Sequence, residues 1–155
     1  MAQAPEALSG QTLVDGLIAT FRELNIKVRQ LPEQTLTRKG ADGASVHDVV
    51  RRLRDDELRF SQALKERLTG VPIPDIFGSD TEPVIGTETK NETTAELISQ
   101  FGTGRESTLA MIQSLTDEEW DQVVEGGTSI RARIQGLVDN DRKQLDRIMS
   151  LVQAK

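Results

Sequence analysis

Residues 45–68, SVHDVVRRLRDDELRFSQALKERL, decide the fold, because they carry the pattern of one long amphipathic helix. Apolar residues recur there at steps of three and four positions, as along one face of an α-helix: Val46, Val50, Leu53, Phe60 and Leu64. The step between Leu53 and Phe60 falls on Glu57, so a carboxylate interrupts the apolar face. Since a buried charge requires a partner, we expect a polar site at this level.

This helix has clear start signals, and another helix precedes it. Ser45 is a good N-cap, and Asp48 three residues later resembles the acidic half of a capping box. The first predicted helix has a heptad-like apolar stripe that runs to Leu31 and stops at Pro32. Turn residues fill positions 32–44, which therefore form the first connection.

Two more long helices follow in the second half of the chain. The third, from residue 93 or 94, carries Arg105 inside its apolar stripe. The last, from residue 128 or 129 to about Gln153, has Asp141 at a core-facing step. Four long amphipathic helices without a convincing strand pattern predict an all-α four-helix bundle.

Smaller features refine this prediction. Gly102 and Gly104 lie inside the third helix, where glycine is unfavourable, and they indicate a tight approach of two helices or a local kink, with a backbone opening for a ligand as the alternative. The run that starts at Thr116 caps a short helix through Trp120 to Val124, and we expect Trp120 to cover the end of the bundle.

The connection between the second and third helices is long. Residues 70–92 contain three prolines and three glycines and keep no helical stripe. Fully extended, such a segment reaches ~70 Å, more than twice the ~30 Å length of a 20-residue helix. It can return the chain to the starting end of the bundle, so the second and third helices can run parallel.

The composition limits the function. The chain of 155 residues suits one domain, 1–155, with a core over about 10–152. A net charge of −6 disfavours nucleic-acid and anionic-membrane partners, and the absence of cysteine excludes disulfides, thiol nucleophiles and cysteine-based metal sites. The N-terminus lacks the features of a signal peptide, so we expect a cytoplasmic protein.

Three passages together resemble the DinB-like (DinB/YfiT) superfamily. They are LPEQTLTRKGADGASVHDVVRRLRDDE (31–57), AELISQFGTGRESTLAMIQSLTDEEW (95–120) and IRARIQGLVDNDRKQLDRI (130–148). The resemblance implies a four-helix bundle with an up-down-down-up path and a long link between helices two and three. It also implies dimers, and in many members a divalent metal held by three histidines. Some of those members are thiol-dependent transferases or isomerases that use mycothiol or bacillithiol.

The chain departs from this family at the metal positions. Arg52 stands where the resemblance places the helix-two histidine, and Asn140 and Gln144 stand at the helix-four pair. Arginine has only hydrogen-bond donors, and neutral amides are poor ligands for zinc or nickel. His47 lies five residues before Arg52, and we expect it to be a solvated surface residue. We therefore expect neither a metal nor a cofactor.

Two main interpretations of the altered site stay open, beside side chains that simply face solvent and a magnesium or manganese site rebuilt from Asp55, Asp56, Glu57 and Asp141. In the first, Arg52 supplies the positive charge and is held by Asp141, Glu57 or Asp56 in a closed polar core. In the second, Arg52 and Arg105 clamp a small carboxylate or phosphate in a pocket. The full candidate set is Arg52, Glu57, Arg105, Asn140, Asp141 and Gln144.

The sequence leaves open whether the protein is an enzyme. The expected function is a non-catalytic small-molecule binding protein, with a small anionic molecule as its ligand, or a dimeric interaction protein that forms a homodimer. The alternative is a thiol-dependent transferase or isomerase with an altered site. A salt-bridge role for Glu57 and Asp141 competes with acid–base work by the same carboxylates.

Overall fold

The described residues fold into a bundle of four long helices with two short ones between them. The structure, a computed structural model, describes residues 10–69, 92–122 and 129–153. The helices are α1 (Gly10–Lys27), α2 (Glu33–Leu36), α3 (Val46–Thr69), α4 (Thr94–Gln113), α5 (Asp117–Trp120) and α6 (Ile130–Gln153). The predicted all-α bundle is confirmed.

The side-chain contacts between α3 and α4 show that these two helices run in the same direction. Near their N-termini, His47 Nδ1 lies 2.8 Å from Thr94 Oγ1. Further along both helices, Arg105 Nη2 lies 2.8 Å from Glu57 Oε1. A parallel pair of consecutive long helices requires a long return connection, as residues 70–92 predicted. Residues 70–91 themselves lie outside the described part of the chain.

The directions of α1 and α6 complete the path of the bundle. Arg105, in the middle of α4, donates to the carbonyl of Leu17 in α1. Arg29, just beyond the C-terminal end of α1, donates to the carbonyl of Ala95 in the first turn of α4, so α1 and α4 are antiparallel. Gly16 of α1 lies beside Val138 of α6, and Thr20, one turn later in α1, contacts Asp141, which is also later in α6. The two helices α1 and α6 are therefore parallel. The resulting order is up-down-down-up.

The predicted helix starts are present as hydrogen bonds. The Asp48 amide donates to the Ser45 hydroxyl (3.1 Å), and the Ser45 amide donates to the Asp48 carboxylate (3.0 Å). Thr93 and Glu96 form the same reciprocal capping box before α4. The hydroxyl of Ser129 accepts from the third residue of α6 at 3.0 Å. Each bond satisfies an amide that the first turn of a helix leaves unpaired.

Two features in the first half of the chain differ from the sequence prediction. Helix α1 ends at Lys27 instead of at Leu31. The Arg29 amide donates to the carbonyl of Leu24, five residues earlier (2.9 Å), and this bond spans one residue more than the regular helical hydrogen bond, so the chain leaves the helix axis there. The expected connection 32–44 contains the short helix α2, which begins directly after Pro32. Proline is favourable at such a start, because its missing amide has no helical partner there.

The core has two apolar clusters, one toward each end of the bundle. The first is formed by Leu24, Val28, Leu36, Val46, Val49, Val50, Leu53, Leu97, Ile98, Phe101 and Ile148. The second is formed by Leu13, Val14, Leu17, Leu64, Ile112, Trp120, Ile130, Ile134, Leu137 and Val138. Trp120 is 5% exposed and covers the end of the bundle, as predicted, with the guanidinium of Arg131 5.4 Å from its ring. Its helix α5 ends at Trp120, and Val124 lies outside the described residues.

The glycines of α4 lie where helices approach each other closely, as their spacing indicated. A methyl group at Gly102 would lie 2.5 Å from ring atoms of Phe21 on α1, and one at Gly104 would lie 3.3 Å from Glu57 Cγ on α3. The two glycines therefore allow α4 to contact both neighbours. No helix in the described residues is long and apolar enough to cross a membrane.

Gly102→Ala should destabilise the bundle, because the new methyl group would overlap the ring of Phe21. We expect a loss of about 1–3 kcal/mol in the free energy of unfolding, measured by urea denaturation. Gly136→Ala is the matched control, since nothing lies within 4 Å of its added methyl group on α6. It should stabilise the protein by about 0.5–1 kcal/mol through helix propensity. Equal effects of the two substitutions would contradict the close approach at Gly102.

Candidate functional site

The side chain of Arg105 lies at the centre of the bundle and contacts all three other long helices. Its Nη1 donates to Asp141 Oδ2 on α6 (2.8 Å) and to the carbonyl of Leu17 on α1 (2.8 Å). Its Nη2 donates to Glu57 Oε1 on α3 (2.8 Å) and to Asp141 Oδ1 (3.2 Å). Thr20 adds a hydrogen bond to Asp141 Oδ2 at 2.6 Å. These five residues are named the central cluster below.

The central cluster is closed to solvent. Arg105 and Glu57 are each 1% exposed, and Asp141 is 2% exposed. Burial lowers the pKa of a guanidinium, but the hydrogen bond to Glu57 and the charges of both carboxylates outweigh burial and raise the pKa of Arg105 above its ordinary value. The ring of Phe101, 4.8 Å from the guanidinium carbon, covers one face. The cluster therefore holds a permanent cation.

The structure separates the six candidate residues into two groups. Glu57, Arg105 and Asp141 meet in the central cluster. Each of the two carboxylates forms a salt bridge with Arg105. Arg52 is not held by Glu57 or Asp141, contrary to the closed-core interpretation. Its side chain is 74% exposed and lies 3.5 Å from Asp56. Positions 52 and 57 of a helix point about 140° apart, so both cannot face the bundle axis.

The same separation corrects the interpretation in which Arg52 and Arg105 clamp one ligand. Arg105 is buried inside the bundle, where its Nη1 and Nη2 atoms donate to other helices, whereas Arg52 lines a groove on the outside, between α3 and α6. This outer groove has a volume of about 640 Å³. Its lining residues are Arg52, Asn140, Lys143, Gln144, Asp146, Arg147 and Ser150.

The outer groove combines three cations and the carboxylate of Asp146 with two amides. The Gln144 amide donates to the Asn140 side-chain oxygen across one helical turn (3.2 Å), which presents the pair as one polar surface. Arg147 also contacts Asp42 from the α2–α3 connection at 2.8 Å. A second, smaller groove of about 230 Å³ lies between α1 and α6, and Arg142 lines it.

The three positions that the resemblance assigns to metal-binding histidines all line the outer groove. The residues present there do not fit a divalent transition metal. Arg52 offers no lone pair, and Asn140 and Gln144 offer neutral amide oxygens that share a hydrogen bond. Over residues 10–69, 92–122 and 129–153, no three histidine, cysteine or acidic side chains group as a metal site would require.

His47 is buried, which corrects the expectation of a solvated surface residue. It is 8% exposed, and it lies between Thr94 of α4 and Arg51 one turn along α3. Because the Arg51 guanidinium can only donate to Nε2 (3.2 Å), Nδ1 carries the proton and donates to the Thr94 hydroxyl (2.8 Å). Burial and the charge of Arg51 lower the pKa of His47, although Glu33 opposes the shift.

Glu33 is a structural residue that the sequence interpretation missed. Its carboxylate accepts hydrogen bonds from the Thr94 amide at 3.2 and 3.1 Å and from the Thr94 hydroxyl at 3.2 Å. A carboxylate is favourable there because the N-terminus of α4 carries a partial positive charge. The leucine-proline-glutamate run at 31–33 was the available signal, but its partner lies 61 residues away.

Comparison with known proteins identifies the fold. Among solved structures, the chain is similar to YfiT from Bacillus subtilis, with a TM-score of 0.73 and 16% sequence identity over 97% of this chain and 91% of that one. The chain thus has a DinB/YfiT-like fold, as the sequence resemblance implied. YfiT is described as a probable metal-dependent hydrolase with an unusual four-helix bundle topology. No protein-family model matches the chain, and neither does any curated protein sequence.

Substitutions of the two arginines should have very different effects on stability. Arg105→Ala leaves Glu57 and Asp141 buried without their cation, so we expect a loss of about 3–5 kcal/mol in the free energy of unfolding. Arg52→Ala should change it by no more than about 0.5 kcal/mol, because the side chain is exposed. Chemical denaturation measures both values. A large loss for Arg52→Ala with a small one for Arg105→Ala would contradict the arrangement.

The stability of the fold should depend on the protonation of His47. Its folded pKa lies below the ordinary value of 6.5, so the unfolded chain binds the proton more readily. The stabilising contribution is present above about pH 6.5 and is lost as the pH falls through the lower folded value. Urea denaturation from about pH 8 to about pH 5.5 should show a steeper loss for the native chain than for His47→Gln. Identical pH profiles would mean that His47 is not buried in the neutral form.

Proposed function

We propose that the chain is a non-catalytic protein that binds a small anionic molecule, carrying a carboxylate or phosphate group, in the outer groove. The supporting observation is that Arg52, Lys143 and Arg147 line one groove together with the amides of Asn140 and Gln144. Guanidinium groups form paired hydrogen bonds with carboxylates and phosphates, and amides can orient a bound ligand. The proposal needs no metal.

The exposure and the weak pairing of the Arg52 side chain support this role. Its side chain is 74% exposed, and its nearest carboxylate, Asp56, lies 3.5 Å from Nε, which is long for a charge-assisted hydrogen bond. An arginine in this position can exchange a weak surface contact for a ligand without exposing a buried partner. The volume of about 640 Å³ lies within the range typical of small-molecule sites.

Asp42 is an internal competitor for Arg147, one of the residues that line the outer groove. Its carboxylate contacts Arg147 Nη2 at 2.8 Å. The backbone hydrogen bond from Ala44 and the hydrogen bond from Arg147 lower the pKa of Asp42, so this carboxylate is ionised at neutral pH. An anionic ligand that binds Arg147 has to share it with Asp42 or displace it. Removing the charge of Asp42 should therefore strengthen binding.

A thiol-dependent transferase or isomerase is the alternative function, and it has less support. The resemblance to the DinB-like superfamily suggests it, but the residues at the positions that this resemblance assigns to metal ligands do not fit that chemistry. The proposal also includes a homodimer in the cytoplasm, with neither nucleic acid nor membrane as partner. The acidic net charge of −6 supports the last two points.

Binding of inorganic phosphate and of citrate, followed by NMR amide shifts and by calorimetry, tests the proposal. We expect Arg52→Ala and Lys143→Ala to weaken binding by about tenfold, the effect of losing one charge-assisted hydrogen bond. Asp42→Asn should strengthen it. The matched control is Arg142→Ala, which removes the neighbouring cation of α6 from the smaller groove and should leave the affinity unchanged.

Two outcomes would contradict the proposal. Equal affinities of Arg52→Ala, Arg142→Ala and the native chain would place any anion binding outside the outer groove. Stoichiometric binding of zinc or nickel by the native chain would favour the alternative, metal-dependent function.

A further inference from the structure

Three buried polar atoms, on Arg105, on its partner Glu57 and on Thr108 about one turn further along α4, have no hydrogen-bond partner among the described residues. They are Glu57 Oε2, Arg105 Nε and Thr108 Oγ1. Their residues are 1%, 1% and 0% exposed, so bulk water does not reach them. Folded proteins pair nearly all such atoms, because an unpaired buried polar group is costly. Three in one region of the core indicate a shared partner.

The planar guanidinium places two of these atoms on the same side. Nη2 donates one hydrogen to Asp141 Oδ1 (3.2 Å) and the other to Glu57 Oε1 (2.8 Å). The second hydrogen lies on the edge that Nη2 shares with Nε, so the Nε–H group also faces Glu57. Glu57 Oε2 belongs to the same carboxylate but does not accept from Nε. Thr108 is three residues beyond Arg105 on α4, a neighbouring position on the helix surface.

The chemistry of these atoms restricts the partner. Arg105 Nε can only donate, so the partner must accept a hydrogen bond, which excludes a metal ion. A carboxylate oxygen of Glu57 can only accept, so the partner must also donate, which excludes a halide ion. The hydroxyl of Thr108 can do either. Water both donates and accepts hydrogen bonds, and buried waters with about three hydrogen bonds are common in proteins.

We propose that a single internal water molecule bridges Glu57 Oε2, Arg105 Nε and Thr108 Oγ1. This site is distinct from the outer groove and does not depend on the proposed function. The water completes the hydrogen bonding of the guanidinium and of the second carboxylate. It thereby joins α3 to α4 at the level where Arg105 also contacts α1 and α6.

A high-resolution crystal structure of the full chain tests the site directly. We expect one ordered water within about 2.7–3.2 Å of all three atoms. The proposal is wrong if Glu57 has instead rotated so that both of its oxygens accept from Nε and Nη2 and no solvent peak lies between them.

The substitution Thr108→Val gives a second test, because the two side chains have nearly the same shape. If the hydroxyl binds the water, its loss should lower the Tm by about 2–4 °C. If the hydroxyl is merely buried without a partner, replacing it with a methyl group should raise the Tm. Thr103→Val is the control, since that residue lies on the exposed face of the same helix. An unchanged or higher Tm for Thr108→Val overturns the proposal.

Discussion

The burial of one guanidinium constrains the whole bundle. A buried arginine needs partners on every side, and those of Arg105 come from the three other long helices: Leu17, Glu57 and Asp141. Moving any one of these helices along its axis would break at least one of the hydrogen bonds, so the cluster fixes the register of all four. The apolar clusters above and below supply most of the burial, but apolar contacts alone tolerate sliding. Gly102 and Gly104 allow the close approach that these short bonds require.

Much of this arrangement could be predicted from the sequence. The apolar period identified the four long helices, and the capping residues at Ser45 and Thr93 identified where two of them begin. The carboxylates of Glu57 and Asp141 in apolar stripes indicated a polar centre. These signals are local, because helix period and capping depend on residues within one or two turns. The length of the connection 70–92 predicted that α3 and α4 can run parallel.

The partners inside the polar centre could not be predicted in the same way. Arg52 was expected to supply the cation because it occupies a metal position of the resembling family, but its direction on α3 turns it outward. Arg105 was visible within its stripe, yet its three partners are between 36 and 88 residues away in the chain. The burial of His47 was missed for a similar reason, since it depends on α4 and on Glu33.

The bundle keeps its stabilising charges and its candidate ligand-binding surface apart. Adjacent residues of α6 illustrate this: Asp141 points inward to Arg105, whereas Asn140 points into the outer groove. Because successive helix positions point about 100° apart, residues of the groove can change without disturbing the central cluster. This separation explains how a DinB/YfiT-like bundle can carry arginine and amides at the positions that the resemblance assigns to metal ligands and still fold.

The role of the central cluster is tested most directly by native-state hydrogen exchange across the four long helices. If Arg105 joins them into one cooperative unit, the amides in the central turns of α1, α3, α4 and α6 exchange only through global unfolding. Their opening free energies should then be equal, and they should equal the free energy of unfolding from urea denaturation. A helix whose central turn exchanges at a clearly lower free energy than the others would open independently, and that result would contradict the account.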